Sequence, residues 1–274
     1  MQTIALPKKL SFEESGEPNR VKAILEPLAP GYGTTVGNAL RRVLLASLPG
    51  VAVIGAKIEG ASHEFMALPN VKEDVLQILL NLKKVRFKLD EGLDEARLEL
   101  KAYGEKSATA GDIVKQAGVE VVNPELVIAD LTDMGGKLNM EIFIRRGLGY
   151  ETIENREDKK GELGYIDIDS IFSPVLAVGL DVENVRVGKM VNWEKLILDI
   201  QTDGTISVED AFKRATEILL EQFNAVRSLG DGTVAVAEET TEAVETPEAA
   251  EPEAADAEES EEEGDGKKAK SKKK

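Results

Sequence analysis

The 274-residue chain contains no cysteine and a single histidine, His63. Without thiols there is no disulfide framework and no cysteine-based metal centre, which suits a reducing compartment. One histidine is too few for an ordinary zinc site, and Ala67 stands where the second histidine of an HExxH pair would fall. No apolar run approaches the roughly 20 residues of a membrane-spanning helix, and the start, MQTIALPKKL, lacks the charged-then-apolar pattern of a secretory signal. The expectation is a soluble cytoplasmic protein with no membrane partner. Positive charge is also scarce, with 34 Lys and Arg against 51 Asp and Glu and a net charge of −17. Residues 230–274 hold 15 acids and six lysines, while the preceding 229 residues hold 36 acids and 28 bases, so the body of the chain is itself acidic. A phosphate backbone demands clustered Lys and Arg, which argues against direct duplex binding.

What is present is length enough for one large or two ordinary domains and a tail. In residues 26–50, EPLAPGYGTTVGNALRRVLLASLPG, a glycine-rich turn runs into a helix, with Thr34 or Thr35 expected as its cap and Pro49-Gly50 as its stop. At about 100° per residue, Val36, Ala39, Leu40, Val43, Leu44 and Ser47 gather on one face, and Asn38, Arg41 and Arg42 on the other. Leu45 falls between the arginines, either an ordinary exposed leucine or an interface anchor with a polar rim. Strands are expected at 21–25 and 51–59. Asn70 with Glu73 suggests a capping box for a second helix carrying Val71, Val75, Ile78, Leu79 and Leu82. Residues 85–148 read as β-rich, with one short helix at 109–116. An exposed loop is expected at 153–164, and strands at 165–168, 182–187 and 195–201. Ser207 then opens the longest helix, whose stripe is Val208, Phe212, Ala215, Leu219, Phe223 and Val226, widened by Ile218 and Leu220. A stripe that wide serves a sheet alone, or a sheet and a second helix. From Ala235 large apolar residues disappear, and the Ala, Glu, Thr and Pro that remain cannot offset the entropy of ordering. The closing KKAKSKKK reads as a solvated, charge-balancing end or as a weak nucleic-acid attractor.

Candidate chemistry is thin. Gly31, Gly33 and Gly37 precede or open a helix but lack the GKS or GKT ending and the GxGxxG spacing of phosphate loops, and turn geometry with close helix packing accounts for them. Gly147 and Gly149 read as a structural turn. Asp167 and Asp169 alternate on a strand and are an acid pair only in the most generous reading; a solvated strand face suffices. No nucleophile with its base and no aspartate cluster for two magnesium ions is recognisable. The rival readings are a stand-alone enzyme using the Gly31 turn for phosphate, and an acidic scaffold whose tail does the work.

Five segments in order carry a resemblance: GNALRR at 37–42, HEF with VKEDVLQILLNLKKV at 63–85, RRGLGY at 145–150, FSPV at 172–175, and DGTISVEDAFKRATEILLEQ at 203–222. Over residues 1 to about 229 the chain resembles the alpha subunit of bacterial DNA-directed RNA polymerase. The resemblance implies an α+β fold: a dimerisation domain of mixed sheet with two long helices (1–49 and 175–229), interrupted by an inserted β-rich domain (50–174), with 230–274 a disordered acidic tail. It implies a non-catalytic subunit that homodimerises and serves as platform for the beta and beta-prime subunits, the catalytic magnesium lying in beta-prime and no cofactor in this chain. Arg42 and Leu45, with His63, Glu64, Phe65, Glu73 and Asp74, match family contacts to beta. Lys83 and the region from Tyr165 to Arg186 match contacts to beta-prime. Val36, Val43, Phe212, Leu219 and Phe223 are the expected dimer contacts. The family's small helical C-terminal domain has no expected counterpart here, so its contacts to promoter DNA and activators are not carried over, and DNA is met only through the assembled complex.

Overall fold

The computed structural model describes residues 4–90, 92–156 and 164–230. The expectations for the acidic tail and its lysines, and for the middle of the 153–164 loop, lie outside the described residues. In chain order the elements are β1 (Lys9–Glu14), β2 (Arg20–Leu28), α1 (Tyr32–Ala46), β3 (Pro49–Ile58), α2 (Val75–Leu82), β4 (Phe87–Leu89), β5 (Glu95–Tyr103), β6 (Ser107–Thr109) and β7 (Val119–Val121). There follow β8 (Val127–Asp130), β9 (Lys137–Leu148), β10 (Tyr150–Glu151), β11 (Tyr165–Asp167), β12 (Ser170–Ile171), β13 (Val175–Val187), β14 (Met190–Thr202) and α3 (Val208–Gly230).

Two four-stranded sheets organise these elements, in the orders β1-β2-β14-β13 and β11-β3-β9-β5. The first draws strands from both ends of the described chain and the second from its middle. Every pairing is antiparallel, which corrects the expected mixed sheet. The reason is local: β1-β2 and β13-β14 are hairpins, and β14 returns beside β2 in the opposite sense. The strands expected at 182–187 and 195–201 are parts of the 13-residue β13 and β14.

Period-2 alternation sorts β14. Leu196, Leu198 and Ile200 are buried, and Lys195, Ile197, Asp199 and Gln201 sit half-buried on the other face. The buried set joins Ala23, Leu28, Leu40, Leu44, Leu48, Phe212 and Ala215 in one core under α1 and α3. Leu44 and Leu48 are almost wholly enclosed, each such side chain contributing about 1.5–3 kcal/mol. A separate core forms under α2, where Val75, Ile78, Leu79 and Leu82 meet Leu98, Leu100, Ile128, Ile142 and Ile144.

Helix ends depart from the local reading in two places. The N-cap of α1 is Gly31, in the left-handed region at φ 86°, and makes no side-chain cap bond. Thr35 lies inside the helix, its hydroxyl donating back to the Gly31 carbonyl at 3.1 Å. α2 starts at Val75 behind Asp74, whose carboxylate accepts from Gln77 N at 2.7 Å. The expected Asn70–Glu73 box does not form, because Val71 bridges to Leu131, Lys72 N donates to the Asp130 carbonyl, and the Glu73 carboxylate accepts from Asp130 N. Likewise the helix expected at 109–116 shrinks to one 3-10 turn, Ala110–Asp112, since Ile113 and Val114 are drawn onto β5.

Candidate partner-binding surfaces

The first surface centres on α1. Its N-terminus is closed from across the sheet: the Glu194 carboxylate on β14 accepts from Gly31 N at 2.6 Å and from Gly33 N at 2.8 Å. A carboxylate there satisfies two otherwise orphaned amides and complements the helix dipole. The glycines permit the approach. A Cβ on Gly33 would lie 2.7 Å from Glu194 Oε2, and one on Gly37 2.6 Å from Leu180 Cδ1 and 2.7 Å from Leu196 Cδ1. They serve turn geometry and helix packing, and Glu194 fills the position an anion would need in a phosphate loop.

With that face pressed to the sheet, Arg41 and Arg42 point to solvent, and among the described residues neither has an ion-pair or hydrogen-bond partner. Leu45, between these arginines, is less open than they are. It is half-buried and packs at the margin of the core with Val36 and Val43, although the helical spacing sets it between the two exposed arginines.

α3 divides along its length. Val208, Ala211, Phe212 and Ala215 are buried, Ile218 and Leu219 are half-buried, and from Leu220 every residue is exposed. Phe212, expected among contacts with a twin, packs one turn past Val208 in the protomer's own core, edge-to-face with Phe12 at 5.9 Å. Phe223 is 63 % exposed, and Leu220, Val226 and Leu229 extend its apolar stripe. The expected stripe through Phe223 and Val226 thus outruns the protomer's own core.

The second surface is a groove of about 480 Å³ between α2 and β11, lined by His63, Glu64, Leu76, Leu80, Lys83, Ile153, Tyr165 and Asp169. It brings together His63 and Glu64, expected on one contact segment, with Lys83 and Tyr165, expected on another. Leu76 and Leu80, which went unremarked in the sequence, turn outward from α2. Phe65 stands 75 % exposed beside the groove, its amide donating to His63 Nδ1 at 3.3 Å. Glu73 and Asp74 each commit an oxygen to the fold, as described above. The Lys83 ammonium lies 5.6 Å from the centre of the Tyr150 ring, a cation–π placement, and Tyr165 packs edge-to-face on Phe143 at 5.1 Å. Burial raises the Tyr150 phenol above its ordinary range, helped by its hydrogen bond to Asp169. Arg186 is remote from this groove in sequence, near the β13–β14 turn, where its Nε donates to the Gly188 carbonyl at 3.0 Å.

Beneath the groove lies a residue no periodicity announced. Arg156, only 4 % exposed, donates to the carbonyls of Ile54 at 2.7 Å and Ile168 at 3.1 Å, to Ser170 Oγ at 3.1 Å and to Asp167 Oδ1 at 3.3 Å. Asp167 is therefore tied to Arg156, while Asp169 accepts from Ile153 N at 2.9 Å and from the Tyr150 hydroxyl. The two carboxylates are spent separately on holding loops rather than facing each other as an acid–base pair. Among the described residues no group of three or more His, Cys, Asp or Glu is placed to hold a metal ion, and no helix is long and apolar enough to cross a membrane.

Residues 56–173, which carry most of the second sheet and α2, match the family described as the RNA polymerase Rpb3/RpoA insert domain. The DNA-directed RNA polymerase subunit alpha of Alkaliphilus metalliredigens is 45 % identical over 218 residues, covering 80 % of this chain and 69 % of that protein. The subunit of the same name from Carboxydothermus hydrogenoformans is 46 % identical over 215 residues, covering 78 % and 67 %. That from Desulforamulus reducens is 46 % identical over 223 residues, covering 81 % and 70 %. Identity at this level, over about four fifths of the chain and two thirds or more of each relative, places the chain in the alpha-subunit family of DNA-directed RNA polymerase.

Proposed function

We propose that this chain is a non-catalytic assembly platform within DNA-directed RNA polymerase: two copies pair through α1 and α3, after which one holds the beta subunit and the other beta-prime. The observation that carries the reading is the second half of α3, where Leu220, Phe223, Val226 and Leu229 are each more than half exposed. An apolar stripe that outruns its own core needs a cover, and a two-fold axis lets one such stripe meet itself on a twin. Val36, Val43 and Leu219, half-buried at the margin of that stripe's core, border the same contact.

Arg42 then holds beta, with Arg41 beside it. A guanidinium with no internal partner is free to take a carboxylate or several carbonyls of another chain in fixed geometry, which lysine reproduces poorly. His63, Glu64 and Phe65 extend that contact, with the free oxygens of Glu73 and Asp74. Lys83, Tyr165 and Arg186 serve beta-prime. Identical protomers bind different partners because each uses a different part of overlapping surfaces. No catalytic group, metal or cofactor belongs to the chain in this reading; it works in the cytoplasm and meets DNA only through the assembled complex.

Reconstitution tests it. Arg42→Ala keeps the homodimer, read by sedimentation, and loses at least tenfold in capture of the beta subunit, since an interface arginine commonly acts as a hot spot. Capture of beta at the parent affinity by a folded Arg42→Ala dimer would overturn the assignment.

A further inference from the structure

The two sheets are joined by chain crossings that lie side by side. One is the start of β3, where a Cβ on Gly50 would lie 1.8 Å from the Phe172 carbonyl oxygen, and the other is the segment from Phe172 to Val175. Two adjacent crossings act as a hinge unless a further contact blocks rotation about them. Such a contact exists between segments more than a hundred residues apart. Arg86, just before β4, places its Nε 3.5 Å from Asp203 Oδ2 in the turn between β14 and α3, with the side chains only 16 % and 5 % exposed. This ion pair links the segment between α2 and β4 to the turn that follows β14.

Both partners are held before they meet. Arg86 N donates to Asn123 Oδ1 at 2.8 Å, and the Arg86 carbonyl accepts from Val122 N at 2.9 Å. Asp203 Oδ1 accepts from Thr205 N at 2.9 Å and from its hydroxyl at 2.5 Å, leaving Oδ2 for the arginine, and Asp203 N donates to the Pro174 carbonyl at 3.0 Å. Beside the pair, a Cβ on Gly204 would meet Val122 Cγ1 at 3.3 Å, so the two turns already touch. α2 ends four residues before Arg86, and α3 begins five residues after Asp203.

We infer that Arg86 and Asp203 are positioning residues: their buried ion pair fixes the angle between the α3 face and the α2 groove. Because it assigns a purpose to that angle, the inference rests on the platform reading. In that reading a dimer must present its docking surfaces to two large subunits at one set spacing. A charged pair shielded from solvent restrains orientation more sharply than apolar contact, since rotation separates two ions that cannot rehydrate.

The test uses the isolated full-length chain, measures a distance within one protomer and requires neither a polymerase partner nor dimerisation, so the restraint itself is read out even if the platform reading fails. The absence of native cysteine lets spin labels be placed at Lys213→Cys on α3 and Lys101→Cys on β5 alone, diluted with unlabelled chain so that the distance within one protomer dominates. The parent gives a narrow distance distribution by pulsed electron spin resonance. Arg86→Met broadens it at least twofold, and Arg86→Lys, whose ammonium still reaches the carboxylate, restores the narrow form. The double variant Arg86→Met, Asp203→Asn leaves no uncompensated charge, retains an acceptor for Thr205, and also broadens the distribution. Equal widths in the parent and the double variant overturn the inference, as does a lysine variant as broad as the methionine one. Capture of beta and beta-prime by the double variant, measured separately, falls several-fold with dimerisation unchanged; unchanged capture despite a broadened distribution refutes the assigned purpose but leaves the restraint standing.

Discussion

Glu194 offers the sharpest quantitative test of how α1 is held. The helix has no side-chain cap of its own, so Glu194→Ala strips the carboxylate that accepts from both Gly31 N and Gly33 N. The two losses are unequal. Gly31 is exposed and its amide is taken up by water, whereas Gly33 is buried beneath Val182 and its amide is left unpaired, at about 1–3 kcal/mol. Removing a negative charge from a helix N-terminus adds about 0.3–1 kcal/mol. The expected loss is about 2–3 kcal/mol, or a Tm lowered by roughly 5–10 °C for a domain of this size. Glu194→Gln, which keeps one oxygen for Gly33 N and surrenders the charge, costs about 1 kcal/mol by the same reasoning. Urea unfolding at one fixed protein concentration is the assay, because dimerisation makes apparent stability concentration-dependent. Lys195→Ala, at the residue after Glu194 on β14, breaks a partly exposed pair with Glu183 on β13; it is the control and changes stability by less than about 1 kcal/mol. A Glu194→Ala protein within about 0.5 kcal/mol of the parent refutes the argument that the strand caps the helix.

Three further outcomes are expected. Phe223→Asp converts the dimer to monomer in sedimentation while barely changing the unfolding of the protomer, and a persisting dimer shows that another face pairs. Arg156→Met removes the buried fork that ties β3 to the loops around β11 and β12, costing about 3–5 kcal/mol in denaturant unfolding; a loss below about 1 kcal/mol contradicts the network as described. The Asp199 carboxyl is held below the usual carboxylate range by its hydrogen bonds to the Arg20 guanidinium, against the opposing effect of burial. A depressed folded-state pKa contributes stability that is present above the unfolded value of about 3.9 and disappears as pH falls through the folded one. The urea midpoint therefore drops on acidification below about pH 4, and Asp199→Asn flattens that drop; identical slopes in parent and variant remove Asp199 from the acid transition.

Several features were legible in the residues because they depend on neighbours in the chain. The faces of α1 and α3 follow from apolar residues recurring at helical spacing, and the alternating faces of β14 follow from KLILDIQ. Ser207 opens α3 as expected, its hydroxyl accepting from Asp210 N at 3.1 Å and donating to the Asp210 carboxylate. The family resemblance rested on short segments of the same kind, and the segments at 63–65 and 83 converge on one groove. What periodicity cannot supply is the length over which a pattern is used. The stripe of α3 reads uniformly from Val208 to Val226, yet the core that covers it ends near Leu219, and only that ending separates a core residue such as Phe212 from an exposed one such as Phe223.

The sequence by itself determined the local material: which segments bend, which alternate, which carry an apolar side, and that thiol chemistry is impossible. Tertiary structure decided every pairing between distant residues. It gave α1 a cap from position 194 and turned the expected Asn70 cap into a strand-like bridge. It spent Asp167 on a buried Arg156 and brought Arg86 to Asp203. The physical reason is that a hydrogen bond or ion pair depends on distance in space and exclusion of water, neither of which is encoded by separation along the chain, whereas helical and strand periodicity arise from the backbone geometry of consecutive residues.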